Sequence, residues 1–339
     1  MAIDCCGPQR GIADSPLLTR GSRSTLPPKA AVGPPTAHRL LSQISDFERR
    51  RCESLNSRLL ITGAEFLMGT DNADGFPADG EGPVRKVFIS PFICDAFCVT
   101  GYRFAHFVAS TGYITEAELF GWSYVFHSHV PEAVTASREV RTVPGVIWWH
   151  GVPGAYWANP EGPGTSLDGR LDEPAVHLTW NDVVALARFE GGRLPTEAEW
   201  EIAARGGIEQ AIYCWGDELL LGGDHHCNIW QGTFPDQDTA EDGYAGRAPV
   251  DAFKANEFGL YNMSGNVWEW CSNWFSTDHQ PEEQVDPQGP ARGRRKVMKG
   301  GSFLCHHSYC NRYRVGARTA NTPDSSTANC GVRLVFQTD

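Results

Sequence analysis

The chain has no stretch approaching the roughly 20 apolar residues of a membrane span, and residues 1–10 contain no apolar run of the kind a secretory signal needs. Those absences predict a cytoplasmic protein that does not enter membranes. Positive charge is scarce too: 29 Lys and Arg stand against 41 Asp and Glu, a net charge of −12. The deficit sits in the body, because residues 1–54 carry eight basic and five acidic side chains and the remainder carries −15. So acidic a body excludes nucleic-acid or anionic-lipid binding as the main task, and suits a basic peptide or divalent cations. The 11 cysteines are odd in number and lack the spacing of a small secreted scaffold, so each is judged singly. A Gly-rich phosphate loop, a nucleophile elbow and H-E-x-x-H are all missing, which removes kinases, α/β-hydrolases and zincins.

Glycine (36), proline (22) and tryptophan (11) are abundant, a mixture that favours a loop-rich fold on a rigid aromatic framework over a helical bundle. Residues 1–54 read as a flexible N-terminal extension. Pro, Gly, Ser and Ala dominate to about residue 37; then Leu40, Leu41, Ile44 and Phe47 outline a short amphipathic helix that ends in Arg49-Arg50-Arg51. Residues 55–339 read as one domain. Short strands are expected at 59–61, 65–68, 85–89 and 92–97. One helix is expected after Asn181-Asp182 as its N-cap pair, and another from Pro195-Thr196, where Thr196 and Glu199 have capping-box spacing. Beyond residue 208 loops and short strands are expected, a backbone whose polar groups bound ions would help satisfy.

The sharpest local feature is Lys299-Gly-Gly-Ser302-Phe-Leu-Cys305-His-His-Ser-Tyr309-Cys310-Asn-Arg-Tyr-Arg314. Two thiols five residues apart lack the second pair of a zinc clasp. They suit a redox disulfide, a two-thiolate site for Cu(I), or a pair of buried unreactive cysteines. Arg312, Arg314 and Arg318 would lower the thiol pKa values if they lay within a few ångströms. His306 and His307 read as ordinary hydrogen-bonding residues, since neighbours on an extended segment face opposite ways. Two further segments mix carboxylate, amide and main-chain oxygens as calcium loops do, and equally as Asx-turns do. They are Gly259–Trp270, with Asn262 and Glu269, and Asn228-Ile229 together with Glu241–Tyr244. The aromatic run Phe120–Phe126 and the pair Trp148-Trp149 fill a core face or line a peptide groove, the core being the simpler expectation.

Several stretches taken together resemble a known family. They are Phe66-Leu-Met-Gly69-Thr70, Pro174-Ala-Val-His177-Leu-Thr-Trp180-Asn-Asp182, Gly192–Glu201, Asn228-Ile-Trp-Gln-Gly232, Gly259–Trp270, Lys299–Arg314, and Asn321 through Arg333. In collinear order over residues 58–337, they resemble the formylglycine-generating enzyme (sulfatase-modifying factor) family of the aerobic, copper-dependent type. The resemblance implies an α+β fold that is irregular, loop-rich and C-type-lectin-like, with little regular secondary structure. It implies an oxidoreductase, a monomeric bacterial enzyme that oxidises the cysteine of a Cys-X-Pro-X-Arg motif in an unfolded sulfatase to Cα-formylglycine. Cu(I), O2 as co-substrate and an external reductant come with that activity. On this resemblance Cys305 and Cys310 are the copper ligands, held in a near-linear arrangement. Ser302 and Asn329 line the substrate site, and Trp268 and Tyr309 stand beside it. Calcium is assigned to Asn228, Ile229, Asp242 and Tyr244, and to Asn262, Gly265, Val267 and Glu269, partly through main-chain carbonyls. Ala187, Val315 and Leu334 stand where secreted animal relatives have cysteine, so those disulfides are not expected here. Cys330 has no assigned role, and Cys5, Cys6 and Cys52 read as incidental. Non-haem iron sulfoxide synthases are similar over their C-terminal part, but they need an H-x3-H-x-E iron motif and no such spacing occurs.

Overall fold

Thr196 and Glu199 form the capping box that their spacing predicts, starting the helix Glu197–Arg205 in a computed structural model that describes residues 7–10, 34–279 and 284–338. In chain order the described helices are α1 (Pro34–Gln43), α2 (Asp46–Ser54), α3 (Gly101–Thr111), α4 (Glu116–Phe120), α5 (Glu132–Thr135), α6 (Trp180–Phe189) and α7 (Glu197–Arg205). The strands are short: β1 (Arg58–Ile61), β2 (Ala64–Met68), β3 (Arg85–Ile89), β4 (Phe92–Asp95), β5 (Trp122–Phe126), β6 (Arg141–Thr142), β7 (Trp149–Pro153), β8 (Leu220–Leu221), β9 (Asp224–His225), β10 (Gly232–Thr233), β11 (Gln237–Asp238), β12 (Trp268–Trp274), β13 (Lys296–Lys299), β14 (Thr319–Asn321), β15 (Cys330–Gly331) and β16 (Val335–Phe336). They make a four-stranded sheet in the order β14-β13-β12-β15, three-stranded sheets β1-β4-β16 and β5-β7-β6, and three two-stranded ribbons. This is the irregular α+β arrangement that the sequence predicts. Among the described residues no helix is long and apolar enough to cross a membrane.

Buried charge shapes the framework as much as apolar packing does. Every residue of α7 is buried, although it carries three glutamates and an arginine. Each glutamate has a cation: Glu199 meets Arg193 at 2.6 Å, Glu197 meets Arg318 at 2.6 Å, and Glu201 meets both Arg205 at 2.7 Å and Lys299 at 3.1 Å. Charges so deep persist only when paired and hydrogen-bonded. The Glu201–Lys299 and Glu197–Arg318 pairs tie α7 to β13 and to the segment after it, which carries the candidate thiols.

Two expectations are corrected. The cap of α6 is Thr179 and not Asn181-Asp182; Asp182 is its capping-box partner, and Asn181 lies inside the helix. Asp182 also accepts from Tyr113 OH and from the Glu116 N–H, both at 3.0 Å. The stretch 34–54, expected as part of a flexible extension with one helix, is two docked helices. Ser45 and Glu48 form a capping box that restarts the chain between them. Ala37, Leu40 and Cys52 enter the same apolar cluster as α3 and α6, and Arg51 pairs with Asp251 at 2.6 Å. The helix face was legible in the sequence, but its docking partner, about 60 residues away in α3, was not. Cys5 and Cys6 lie outside the described residues.

Strand β12 positions the site. It pairs antiparallel with β13 (Glu269↔Lys299) and parallel with β15 (Trp268↔Cys330). The ends of three strands therefore converge at Trp268, which is fully buried in one apolar cluster with Cys305, Cys310, Tyr313 and Cys330.

Candidate active site

After β13 the chain passes through Gly300-Gly301. Gly301 has φ 76°, and a Cβ there would lie 2.9 Å from the Tyr313 Cα, so only glycine lets the two backbones cross. Two turns follow: Cys305 N–H donates to the Ser302 carbonyl at 2.9 Å, and Cys310 N–H to that of His306 at 2.7 Å. They fold the interval between the cysteines back on itself and leave the two sulfurs 3.3 Å apart, each residue 2% exposed. A disulfide would need about 2.05 Å, so these are two thiols in contact. The separation is also shorter than the ~4.6 Å that a straight metal–thiolate arrangement with ~2.3 Å bonds would span, so the side chains would have to spread to hold an ion in line.

A polar chain leads to Cys305. Its sulfur accepts from the Ser302 N–H at 3.4 Å and lies 3.9 Å from Ser302 Oγ. Asn329 Nδ2 donates to Ser302 Oγ at 3.0 Å, and Thr327 Oγ1 donates to Asn329 Oδ1 at 2.7 Å. On the other side Arg312 Nη1 is 3.7 Å from Cys310 Sγ, while its Nε binds Asp79 at 2.6 Å and its guanidinium lies 3.8 Å above the Phe76 ring. A guanidinium at that distance favours a thiolate. Burial pushes the Asp79 carboxyl up, opposed by Arg312. The expectation for the other two arginines is corrected: Arg314 is held by Glu81 at 2.7 Å and Arg318 by Glu197 at 2.6 Å.

The remaining expected residues divide. Trp268 N–H donates to the Asn329 carbonyl at 2.8 Å, fixing the segment that presents Asn329. Tyr309 stacks on Phe234 at 5.1 Å and meets Trp148 edge-on at 4.9 Å, forming an aromatic rim. Trp149, Tyr124 and Phe126 are core residues, whereas Trp122 and Trp148 are half-buried. His306 and His307 do not face opposite ways, because the chain turns there and their rings lie 4.1 Å apart; His306 bonds Ser308 Oγ at 2.8 Å. Cys330 is a buried strand residue, and burial pushes its thiol well above the ordinary range, as it does for Cys98, Cys227 and Cys271. Thr327, Trp230 and Phe234 were not anticipated. Trp230 belongs to the Asn228–Gly232 motif, and its N–H holds the Cys305 carbonyl at 3.1 Å, a link that only the fold reveals.

The two expected calcium sets differ. Asn228 Oδ1 is buried without a hydrogen-bond partner. Close to it, Asp242 accepts from Ile229 N–H at 3.0 Å and Tyr244 N–H at 2.9 Å, and Gln231 Nε2 reaches both the Ile229 carbonyl and Asp242. Asn262 Oδ1 is likewise buried and unpartnered. Glu269 is not: it is fully buried, with Arg333 at 2.9 Å, Trp200 Nε1 at 2.7 Å and Cys98 Sγ at 2.9 Å, so a cation beside Asn262 must share that carboxylate with a guanidinium. Among the described residues no three His, Cys, Asp or Glu side chains gather into a metal cluster, so no facial iron site is present there. A cavity of ≈ 590 Å³ between Trp180, Arg193 and Asp286 contains none of the thiol-site residues.

Comparison with known proteins identifies the family. The sulfatase-modifying factor enzyme 1-like domain matches residues 43–338. The formylglycine-generating enzyme of Thermomonospora curvata is 56% identical over 293 residues, covering 85% of this chain and 96% of that protein. The enzyme of the same name from Streptomyces coelicolor is 51% identical over 290 residues, covering 85% and 92%. The solved structure of PvdO from Pseudomonas aeruginosa superposes with a TM-score of 0.60 at 20% identity, over 83% of this chain and 94% of that one, a likeness of fold. A domain match over most of the chain, joined to relatives of this identity over nearly their whole length, means that the chain belongs to the sulfatase-modifying factor family.

Proposed function

We propose that this chain is a formylglycine-generating enzyme, a monomeric cytoplasmic oxidase that activates sulfatases. Its substrate is the cysteine of an unfolded Cys-X-Pro-X-Arg segment, which it converts to Cα-formylglycine. The net change takes one O2, two electrons and two protons from an external reductant, and gives the aldehyde, hydrogen sulfide and water. The observation that carries this reading is the pair of buried thiols 3.3 Å apart, with Ser302, Asn329 and Arg312 around them. Paired thiolates suit a soft monovalent ion, so Cys305 and Cys310 would hold Cu(I), which when bound supplies electron transfer to O2 and affinity for a third sulfur.

The other residues act around that pair. Arg312 favours the ionised form of Cys310, and Ser302 with its N–H favours that of Cys305. Asn329 holds the Ser302 hydroxyl and, with it, orients the substrate thiol. Trp268 and Tyr313 exclude water beneath the sulfurs. Tyr309, Trp148 and Phe234 form a rim against which an extended peptide lies. Calcium fits best at Asn228, Ile229, Asp242 and Tyr244, where a buried amide oxygen without a donor adjoins Ile229, whose N–H holds the Asp242 carboxylate, and there it would fix the loop that carries Trp230. Asn262, Gly265, Val267 and Glu269 form the second, shared set.

The test is a Cys-X-Pro-X-Arg peptide incubated with protein, O2 and a thiol reductant, with the loss of sulfur read by mass spectrometry. Cys305→Ser and Cys310→Ser should each abolish turnover and copper binding while circular dichroism stays unchanged. Normal turnover by either variant overturns the assignment.

A further inference from the structure

Residues Gly7–Arg10 belong to none of the motifs used so far, yet they are held against the body. Gly7 and Pro8 are buried, and Arg10 is 3% exposed. Side chains grip their backbone: Asn321 Nδ2 donates to the Gly7 and Pro8 carbonyls at 3.2 and 3.4 Å, Ser325 Oγ to the Pro8 carbonyl at 2.7 Å, and Tyr124 OH to that of Gln9 at 3.3 Å. Arg10 fills a pocket of its own. Its Nε donates to the Asp324 carbonyl at 2.9 Å, and its Nη2 to Ser326 Oγ at 3.1 Å and to the Trp122 carbonyl at 3.4 Å. Its guanidinium also lies 3.9 Å from the Phe120 ring centre and 4.2 Å from that of Trp122. Oxygens spread to meet a planar fork, beneath two aromatic faces, select arginine over lysine.

The other end of the segment adjoins the polar chain that leads to Cys305. Gly7, at φ 144°, lies so near Thr327 that a Cβ on it would be 2.9 Å from Thr327 Cγ2. Thr327 donates to Asn329, Asn329 donates to Ser302, and Ser302 Oγ stands 3.9 Å from Cys305 Sγ. In the sequence the residue before Gly7 is Cys6. Cys6-Gly7-Pro8-Gln9-Arg10 therefore has the order of the client segment, Cys-X-Pro-X-Arg.

We infer that this stretch is a tethered client mimic. Gly7–Arg10, four residues of the chain's own Cys-X-Pro-X-Arg sequence, occupy the groove formed by Trp122, Tyr124, Asn321 and Asp324–Ser326, and a sulfatase segment has to displace them. The inference rests on the proposed function for what the groove's external ligand is; the contacts of Gly7–Arg10 are independent of it. A segment joined to the body through residues 11–33 competes at an effective concentration on the order of millimolar. Weak or poorly matched peptides are thereby screened out.

Fluorescence anisotropy on the metal-free protein separates the parts of the argument. Two labelled probes are used, each with serine in place of cysteine: a peptide copying residues 4–12 of this chain, and a sulfatase-type Cys-X-Pro-X-Arg peptide. Each is titrated with the full chain, with a chain that begins at Gly11, and with full-length Arg10→Ala. Both probes should bind the shortened chain and Arg10→Ala about 10-fold or more tighter than the full chain. If both probes bind the full and shortened chains equally, the mimic is overturned and the functional reading stands. If the shortened chain fails to bind its own peptide, the mimic is overturned as well. If it binds its own peptide but not the sulfatase-type one, residues 7–10 are an internal ligand of the groove but no client mimic, and the functional reading falls with the mimic.

Discussion

Asn329 donates from Nδ2 to Ser302 Oγ at 3.0 Å, in a place where neither residue is more than 1% exposed. The Leu304 N–H also points at that oxygen, at 3.3 Å. With two donors already aimed at its lone pairs, the Ser302 hydroxyl is left to turn its own hydrogen toward Cys305 Sγ. The Thr327 hydroxyl on Asn329 Oδ1 fixes which way the amide faces. A serine and an asparagine 27 residues apart thus act together on one sulfur.

The consequence is a graded series. Ser302→Ala and Asn329→Ala should each lower turnover on a client peptide on the order of 10–100-fold, the usual cost of removing a group that orients a metal ligand. Thr327→Val, one step further away, should cost less. Each change should also weaken Cu(I) binding by the thiol pair, followed by competition with a chromogenic Cu(I) chelator. Unaltered Cu(I) affinity and turnover in Ser302→Ala would remove the hydroxyl from this role.

Arg312 joins thiol and carboxylate, so its loss acts twice. Arg312→Met leaves Asp79 buried without its cation, a situation that costs about 3–5 kcal/mol. Arg312→Met with Asp79→Leu should recover most of that stability in urea unfolding, while turnover stays low because Cys310 has lost its guanidinium. If turnover returns along with stability, Arg312 is only a structural partner of Asp79.

Parts of this site could be read in advance, and others could not. The α7 capping box is a local pattern, and so are the first four strands, whose positions the sequence marks closely. The thiol pair was visible as residue types, but five-residue spacing alone does not say whether two sulfurs meet; the turns at Ser302 and His306 decide that. Arg312, Arg314 and Arg318 look equivalent in the sequence. Only the placement of Asp79, Glu81 and Glu197, more than 100 residues upstream, sorts one toward the thiols and two away. Residues 7–10 show the converse. Their order was in plain view, but a Pro- and Gly-rich start reads as disorder until Phe120, Trp122 and Ser326 are seen around Arg10.

Stability should respond to acid in two opposite ways. Charge pairing outweighs burial at Glu161 and Glu201 and draws both carboxyls down to about 2 from 4.5. Their folded pKa values lie below the unfolded ones, so the stability they confer is present above pH 4.5 and lost as pH falls toward 2, about 3 kcal/mol each. Burial instead pushes Asp182 up to about 6 from 3.8. In that window the folded state binds the extra proton, so this group makes the protein more stable as pH falls from 6 to 3.8. Urea unfolding of Glu201→Gln should show a large loss at pH 7 and a shallower decline below pH 4.5 than the parent. A parallel decline in both proteins would refute the assignment.

Calcium supplies the last test, because the two expected sets make different demands on the chain. At Asn228 an amide oxygen is buried with no donor, and the nearby Asp242 carboxylate has only backbone and amide donors, so a divalent cation adds attraction there without removing a competing charge. At Asn262 the oxygen is equally bare, but Glu269 already balances Arg333 in a site closed to water. Calcium at the first set should therefore dominate the stabilisation, roughly 2.7 kcal/mol when the ion is at 100 times its Kd. Chelator should lower the Tm of the parent protein, and Asp242→Asn should abolish most of that sensitivity with its apo Tm little changed. Glu269→Gln should behave differently: it strands Arg333 in the core and lowers Tm whether or not calcium is present. A parent whose melting is indifferent to chelator would show that Asn228 and Asp242 form only a loop.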